Sequence, residues 1–437
     1  MRIIRACKEL KLKTVSVYSK ADETSLHKSF ADESICIGEP NVADSYLNIP
    51  RLIAAAEISG ADAIHPGYGF LSENADFSDA CLANNIRFIG PTSEHIRLMG
   101  DKNTAREIVK RIRMPILPGS GILKDIDDAL SHAKKIGYPI ILKATAGGGG
   151  RGMRVCRSEK QLTESFEITK REAGVSFSND GVYMEKFIEK PRHVEVQILA
   201  DGHKNVIHLG ERDCSVQRRH QKIIEETPSL FIYKIRRKKI CNISTKLIKS
   251  IRYEGAGTIE FLVDPQKNFY FMEMNTRIQV EHTISELYTG LDLVKEQIRI
   301  AAGEKLKVKQ SDIIFRGHVI ECRINAEDPF NNFSPSPGKI HRYHVPQGLG
   351  VRIDTHIYSG YEIPPNYDSM IGKLIVWGLD RTEAISRMER SLDELVVEGV
   401  KTNIPFHKYF ISSNTFRQQD FDTNYLNDFR LTPKMIS

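Results

Sequence analysis

A chain of 437 residues has room for about three domains, and with 41% hydrophobic and 27% charged residues it has a folded globular composition that excludes a disordered protein. Its 62 basic against 56 acidic residues leave +6, a small excess that fits anionic small substrates as well as nucleic acid and selects neither. No apolar run reaches the roughly 18 residues a membrane span needs, and seven scattered cysteines without a C-x-x-C pair exclude zinc-ligand spacing and a disulfide framework.

Basic residues punctuate the opening MRIIRACKELKLKT, so a signal peptide is not expected. The compartment expected is a reducing one: the cytoplasm, or the plastid stroma as an organelle of bacterial descent. Residues 2–10 read as a helix, 14–18 (TVSVY) as a strand and 50–58 as a helix. Residues 63–65 read as a short strand before a Gly-Tyr-Gly turn, 76–84 as a helix and 87–89 as a strand. That alternation predicts a parallel sheet with helical crossovers. A doubly wound domain normally opens on an apolar strand, whereas this chain opens on a helix, so a preceding strand is expected. Further on, residues 100–113 and 129–135 read as helices, and 139–143 (PIILK) as a strand running into glycines. Strands are expected at 182–187, 193–199 and 206–209, and a Lys- and Arg-rich helix at 235–252. Residues 257–263 and 269–274 alternate apolar and polar side chains, as paired antiparallel strands do. After Arg316 come strands with Pro-Gly turns, a helix at 381–394 and a polar, weakly patterned tail.

Four stretches carry chemistry. In ILKATAGGGGRGMRV the glycines can take positive φ and turn backbone N–H groups toward phosphate oxygens, with Lys143 at the strand end as a point charge. No Gly-Lys-Ser/Thr follows, which excludes a Walker A, and residues 154–156 read as a returning strand rather than a helix. Alone, the tract is equally a turn with no ligand. The second stretch pairs Glu260 in TIEFL with Glu273 in FMEMN on adjacent strands, and Asn275 shares a face with Glu273. Carboxylates among Phe, Leu, Met and Ile are costly to bury without a cation, and such oxygen donors suit Mg²⁺ on nucleotide phosphates. The bland alternative is two glutamates on a solvent face. The third is the donor run Gln217-Arg218-Arg219-His220-Gln221-Lys222, which alone would be a solvated loop. In the fourth, residues 275–282, Arg277 and Glu281 follow the metal set, an anion clamp beside a carboxylate base.

KATAGGGGRGMR, MEKFIEKPRHVEVQ, GERDCSVQRRHQK, FMEMNTRIQVEH and ECRINAED, in that order, resemble biotin carboxylase, the ATP-grasp subunit of bacterial-type acetyl-CoA carboxylase. The resemblance spans nearly the whole chain. It implies an α/β and α+β fold in three parts. An N-terminal doubly wound parallel-sheet domain covers residues 1–100, its first strand missing. An ATP-grasp domain covers 101–315 with a lid at about 115–187, and a β-rich C-terminal domain covers 316–437. The implied activity is ATP- and bicarbonate-dependent carboxylation of biotin through carboxyphosphate, the first half-reaction of malonyl-CoA and fatty-acid synthesis. ATP, Mg²⁺ or Mn²⁺, and biotin borne on a carrier protein are the implied cofactors. The implied partners are biotin carboxyl carrier protein, carboxyltransferase subunits and a second copy of the chain, with no nucleic acid and no membrane.

By the same resemblance Lys102, Lys143, His193 and the backbone around Gly149 and Gly150 contact ATP phosphates. Glu185, Lys186, Phe187 and Ile188 hold the adenine, and Gln217 and His220 reach the ribose. Glu260 and Glu273 ligate one cation, with Asn275 on a second. Lys222, Arg277 and the Val280 backbone hold bicarbonate, Glu281 deprotonates it, and Arg323 binds the biotin ureido oxygen beside Tyr68 and Glu73.

The sequence departs from the family in four places. The opening strand and its Asn-Arg-Gly-Glu-Ile-Ala turn are lacking, which would bare neighbouring strand edges; a start codon assigned too late is the expected reason. Ala146 replaces a loop glycine and Thr283 a proline. Leu349 replaces an aromatic near a dimer contact that would also use Arg5, Glu9 and Arg352. Two alternatives compete: another bicarbonate-activating ATP-grasp ligase of the carbamoyl-phosphate type, and an inactive nucleotide-binding paralogue. Arg323 in CRINAED opposes the first, and the intact catalytic positions oppose the second.

Overall fold

A computed structural model describes residues 1–145, 152–177 and 180–435. The N-terminal region pairs strand Val15–Ser19 with Glu33–Gly38 and strand Ala63–Ile64 with Arg87–Phe88, both in parallel. Helix Ala75–Ala83 links the second pair; Asn74 caps it by accepting from Phe77 N, and Phe77 and Cys81, one turn apart, face the core. The two pairs form separate two-stranded sheets, and among the described residues no strand joins them. Helix Arg2–Glu9 buries Ile4 and Ala6, the latter against a cluster with Leu199, Ile207 and Leu293.

The helix expected at 100–113 is Lys102–Arg111, and an unexpected helix precedes it. Ser93–Gly100 ends at Asp101, whose side chain accepts from Thr104 N and caps Lys102–Arg111. The capping aspartate stops one helix and starts the next. Next comes a three-stranded antiparallel sheet in which Ile140–Ala144 lies between Met153–Cys156 and Val182–Lys186, as the returning strand predicted. Helices Ile126–Ile136 and Glu159–Phe177 pack on it through Ala129, Ala133, Leu162 and Phe166. Gly149, Gly150 and Ala146 lie outside the described residues.

The rest is organised by an eight-stranded sheet. Its strands, in spatial order, are Phe269–Asn275, Gly255–Val263, Arg192–Ala200, Val206–Arg218, Gln221–Thr227, His318–Asn325, Met370–Gly378 and Val351–Thr355. The sheet is continuous across residue 316. The donor run 217–222 is not a loop: the strand expected at 206–209 extends to Arg218, and the chain turns at Arg219 and His220 into Gln221–Thr227. The C-terminal tail is also more regular than its composition suggests. Helix Arg381–Glu394, capped by Asp380, buries Ala384, Ile385, Met388 and Leu392. Helices Ile404–Ser412 and Asn414–Gln418 then bring Phe406, Phe410 and Phe416 onto the same core. None of the helices among the described residues is long and apolar enough to cross a membrane.

Candidate active site

Strand Arg192–Ala200 is the axis of the site. Along it His193, Glu195 and Gln197 alternate with Val194, Val196 and Ile198, so one face is polar, and both faces are buried. The adjacent strand sets Glu260 opposite Glu195, and the strand beyond sets Glu273 opposite Glu260, the hairpin expected from the alternating pattern. Burying so many charges is costly unless each is paired and hydrogen-bonded.

Arg212 meets that condition. Fully buried, it donates from Nε to Glu195 at 2.6 Å, from one Nη to Gln197 at 2.6 Å and Ser285 at 3.0 Å, and from the other to Thr258 at 3.1 Å and Gln279 at 2.8 Å. Every guanidinium N–H is thereby used. Gln279 passes the constraint on, donating to Glu260 Oε1 at 2.7 Å, an oxygen that also accepts from Asn275 at 2.8 Å and Lys222 at 3.0 Å. Lys222 Nζ lies 2.5 Å from Glu195 and 2.6 Å from Glu281 as well. Burial by itself would drive the ammonium toward its neutral form; Glu195, Glu260 and Glu281 outweigh it and hold the Lys222 pKa well above the ordinary value. Burial likewise opposes ionisation of these three carboxyls, and Lys222 overrules it, holding each below the usual carboxylate range.

Two groups are left uneasy. Burial, then the charge of Glu260, raises the pKa of Glu273. His193 is disfavoured as a cation by burial, yet Glu260 at 3.1 Å lifts it to about 9. One donor atom each from His193, Glu195 and Glu260 lies within 4.8 Å of the others. Paired carboxylates that crowd each other are what a divalent cation relieves, so Glu260, Glu273 and the adjacent Asn275 have the donor chemistry for Mg²⁺ or Mn²⁺.

The remaining expected residues lie around this centre. Arg277 donates to Glu73 at 2.8 Å and to Asn275 at 3.0 Å, and Glu73 also accepts from Thr276 N. Arg323 donates from Nε to Glu225 at 2.6 Å and from Nη2 to Glu281 at 2.9 Å; burial raises Glu225 to about 8. The Val280 carbonyl accepts from Lys373 Nζ. Lys143 lies 2.5 Å from Glu185, whose other oxygen takes Arg106. The N–H groups of Lys186 and Phe187 are bonded to the Pro118 and Pro139 carbonyls, and Ile188 follows in the strand's exit. Gln217 Nε2 lies 3.0 Å from His193 Nδ1, joining two residues expected at different parts of ATP. His220 is exposed at the hairpin turn, where it and Arg219 take φ of 65° and 49°. Non-glycine residues there cost about 1–2 kcal/mol each. Lys102 and Tyr68 are exposed, Lys102 opening the helix that Asp101 caps. The expected dimer residues have partners within the chain: Arg352 pairs with Asp354 and Glu286, and Glu9 with Lys295, while Leu349 is exposed.

Glu195, Arg212, Glu225, Arg106 and Lys373 escaped the sequence reading. A signal existed for the first: RHVEVQ alternates polar and apolar side chains with period two. Arg106 and Lys373 gain their roles only from strands distant in sequence.

A small antiparallel sheet set beside a larger one carrying crowded, buried carboxylates and a caged lysine fits an ATP-grasp enzyme, an ATP-dependent ligase. The family description "Biotin carboxylase, N-terminal domain" matches residues 1–96, "Carbamoyl-phosphate synthase L chain, ATP binding domain" residues 101–309, and "Biotin carboxylase C-terminal domain" residues 321–428. The chain is 55% identical over 429 residues to a biotin carboxylase of a Nostoc species, covering 98% of this chain and 96% of that protein. The crystal structure of a Campylobacter jejuni biotin carboxylase–nucleotide complex superposes with a TM-score of 0.92 at 51% identity, covering 97% of this chain and 95% of that one. The biotin carboxylase domain dimer of Hydrogenobacter thermophilus 2-oxoglutarate carboxylase, with MgADP, ADP and bicarbonate, gives a TM-score of 0.90 at 50% identity, with 97% and 94% covered. The chain belongs to the biotin carboxylase family, whose reaction is the ATP-dependent carboxylation of biotin.

Proposed function

We propose that this enzyme performs the first half-reaction of acetyl-CoA carboxylase, carboxylating biotin on a biotin carboxyl carrier protein at the expense of ATP and bicarbonate. The observation that carries the reading is Lys222, whose ammonium lies within 3.0 Å of both Glu260 and Glu281. One lysine thus joins the phosphate-side carboxylates to the carboxylate that would act as base. In this reading Lys102, Lys143, His193 and the Gly149–Gly150 backbone hold the phosphates; Glu185, Lys186, Phe187 and Ile188 hold the adenine, and Gln217 and His220 the ribose.

Glu260, Glu273 and Asn275 would hold Mg²⁺ or Mn²⁺, which neutralises charge on the phosphates. Lys222, Arg277 and the Val280 backbone orient bicarbonate in line with the γ-phosphorus while Glu281 takes its proton. The bicarbonate oxygen bonds to phosphorus as the bond to ADP breaks, giving carboxyphosphate. Carboxyphosphate splits into CO₂ and phosphate, and the phosphate removes the biotin N1′ proton. Arg323 stabilises the resulting anion, which attacks CO₂ in a pocket with Tyr68 and Glu73. Carboxyltransferase subunits and a second copy of this chain are the further partners, in the cytoplasm or the plastid stroma.

Purified protein with ATP and labelled bicarbonate tests this. Biotin should stimulate bicarbonate-dependent ATP cleavage, and Arg323→Ala should abolish the stimulation while sparing nucleotide binding. Absence of stimulation in the parent protein refutes the reading. With carrier and carboxyltransferase subunits from the same source, label should enter malonyl-CoA; label in oxaloacetate from pyruvate would assign another holoenzyme.

A further inference from the structure

Two residues after Glu281, Thr283 carries a hydroxyl at the position where the family resemblance leads one to expect proline. Its Oγ1 donates to the Glu321 carboxylate, and both residues are fully buried. One residue before Glu281, the Val280 carbonyl accepts from Lys373 Nζ. These two ties end on one patch of the sheet. Glu321 and Arg323 lie two apart on strand His318–Asn325, hence on one face, and Lys373 is the cross-strand partner of Arg323. Arg323 in turn reaches the Glu281 carboxylate itself. Glu281 is the N-cap residue of helix His282–Thr289 and its carbonyl accepts from Ile284 N, but its carboxylate makes no capping bond and instead meets Lys222 and Arg323. The ties on either side help set where that carboxylate points.

We infer that Thr283, acting through Glu321, is a positioning residue for Glu281, an inference that rests on Glu281 serving as the bicarbonate base. Without the hydroxyl, the first helical turn loses its tie to Glu321 and keeps only those of Val280 to Lys373 and of Ser285 to Arg212. Its rotation would carry the Glu281 carboxylate away from Lys222 and Arg323. A buried carboxylate that already has one oxygen without a hydrogen-bond partner, Glu321 Oε1, would then lose a donor on the other.

The test compares Thr283→Val, which keeps the volume and removes the hydroxyl, with Thr283→Ser, which restores the hydroxyl. The valine variant should lose on the order of 10-fold in kcat/KM for bicarbonate, with KM for ATP unchanged. Serine should recover most of that loss. Equal kcat/KM in the valine variant and the parent overturns the inference, as does a serine variant no better than valine, which would make the methyl group the reason for threonine. A crystal structure of Thr283→Val decides independently of turnover: a displaced Glu281 supports the inference, and a Glu281–Arg323 contact kept at 2.9 Å overturns it. Should the parent protein show no bicarbonate-dependent ATP cleavage, the functional reading fails while the crystallographic result still decides the positioning role.

Discussion

The eight-stranded sheet is packed in two opposite ways along its width. Around strands Arg192–Ala200, Val206–Arg218 and Gly255–Val263 it buries charge: Glu195, Arg212, Glu260, Lys222 and Glu281 lie within one hydrogen-bonded net. On the face of His318–Asn325 and Met370–Gly378 turned away from Glu321, Arg323 and Lys373, where Ile320, Ile324, Leu374 and Val376 lie, it buries carbon, with Phe406 and Phe410 stacked at 5.6 Å and Phe410 5.5 Å from Phe416. Apolar burial stabilises at about 25 cal/mol per Å² with little demand on geometry. A buried ion pair returns little net stability because desolvation offsets the attraction. The charged half is therefore explained by chemistry, and the aromatic half by the need to hold that chemistry still.

The contrast can be broken in four ways. Lys222→Met strands three carboxylates in the interior, and it should cost about 3–5 kcal/mol in denaturant unfolding as well as roughly 10³-fold in ATP cleavage. A loss below about 1 kcal/mol would mean water already screens the net. Phe410→Ala should cost about 3–5 kcal/mol through its cavity while leaving kcat of the folded enzyme unchanged, so an equal loss of kcat would erase the distinction between the halves. Glu225, raised by burial to about 8 from 4.5, binds its proton more tightly folded than unfolded. It therefore makes unfolding free energy fall as pH rises through that window, and Glu225→Gln should flatten the fall; matching slopes for both proteins between about pH 5 and 8 would contradict this. The smallest effect belongs to Asp101→Ala, which removes a cap at the helix bearing Lys102 and should lower stability by about 1 kcal/mol, read as a shift in melting temperature.

Much of the site could be read in advance, and the misses share a cause. Glu260, Glu273 and Asn275 were legible because a strand pair of period two places them together, and the structure sets Glu260 directly across from Glu273. The hairpin in the 217–222 run was not legible because its two turn residues are Arg and His, not the glycine or asparagine that usually mark a tight hairpin. The helix at 381–394 was legible, whereas helices Ile404–Ser412 and Asn414–Gln418 were missed because they are short and their aromatic side chains pair with Phe421, Tyr425 and Phe429 in an irregular segment that carries no period of its own. The sequence alone determined which residue types lie where along each strand and helix, since those periodicities follow from backbone geometry. Only the tertiary structure decided that Arg212 spends every donor in one place, that Arg106 and Lys143 share Glu185, and that Lys222 sits among three acids. Those facts depend on distances between strands far apart in the chain, and in a low-dielectric interior such distances set both the charge state and the chemistry of each group.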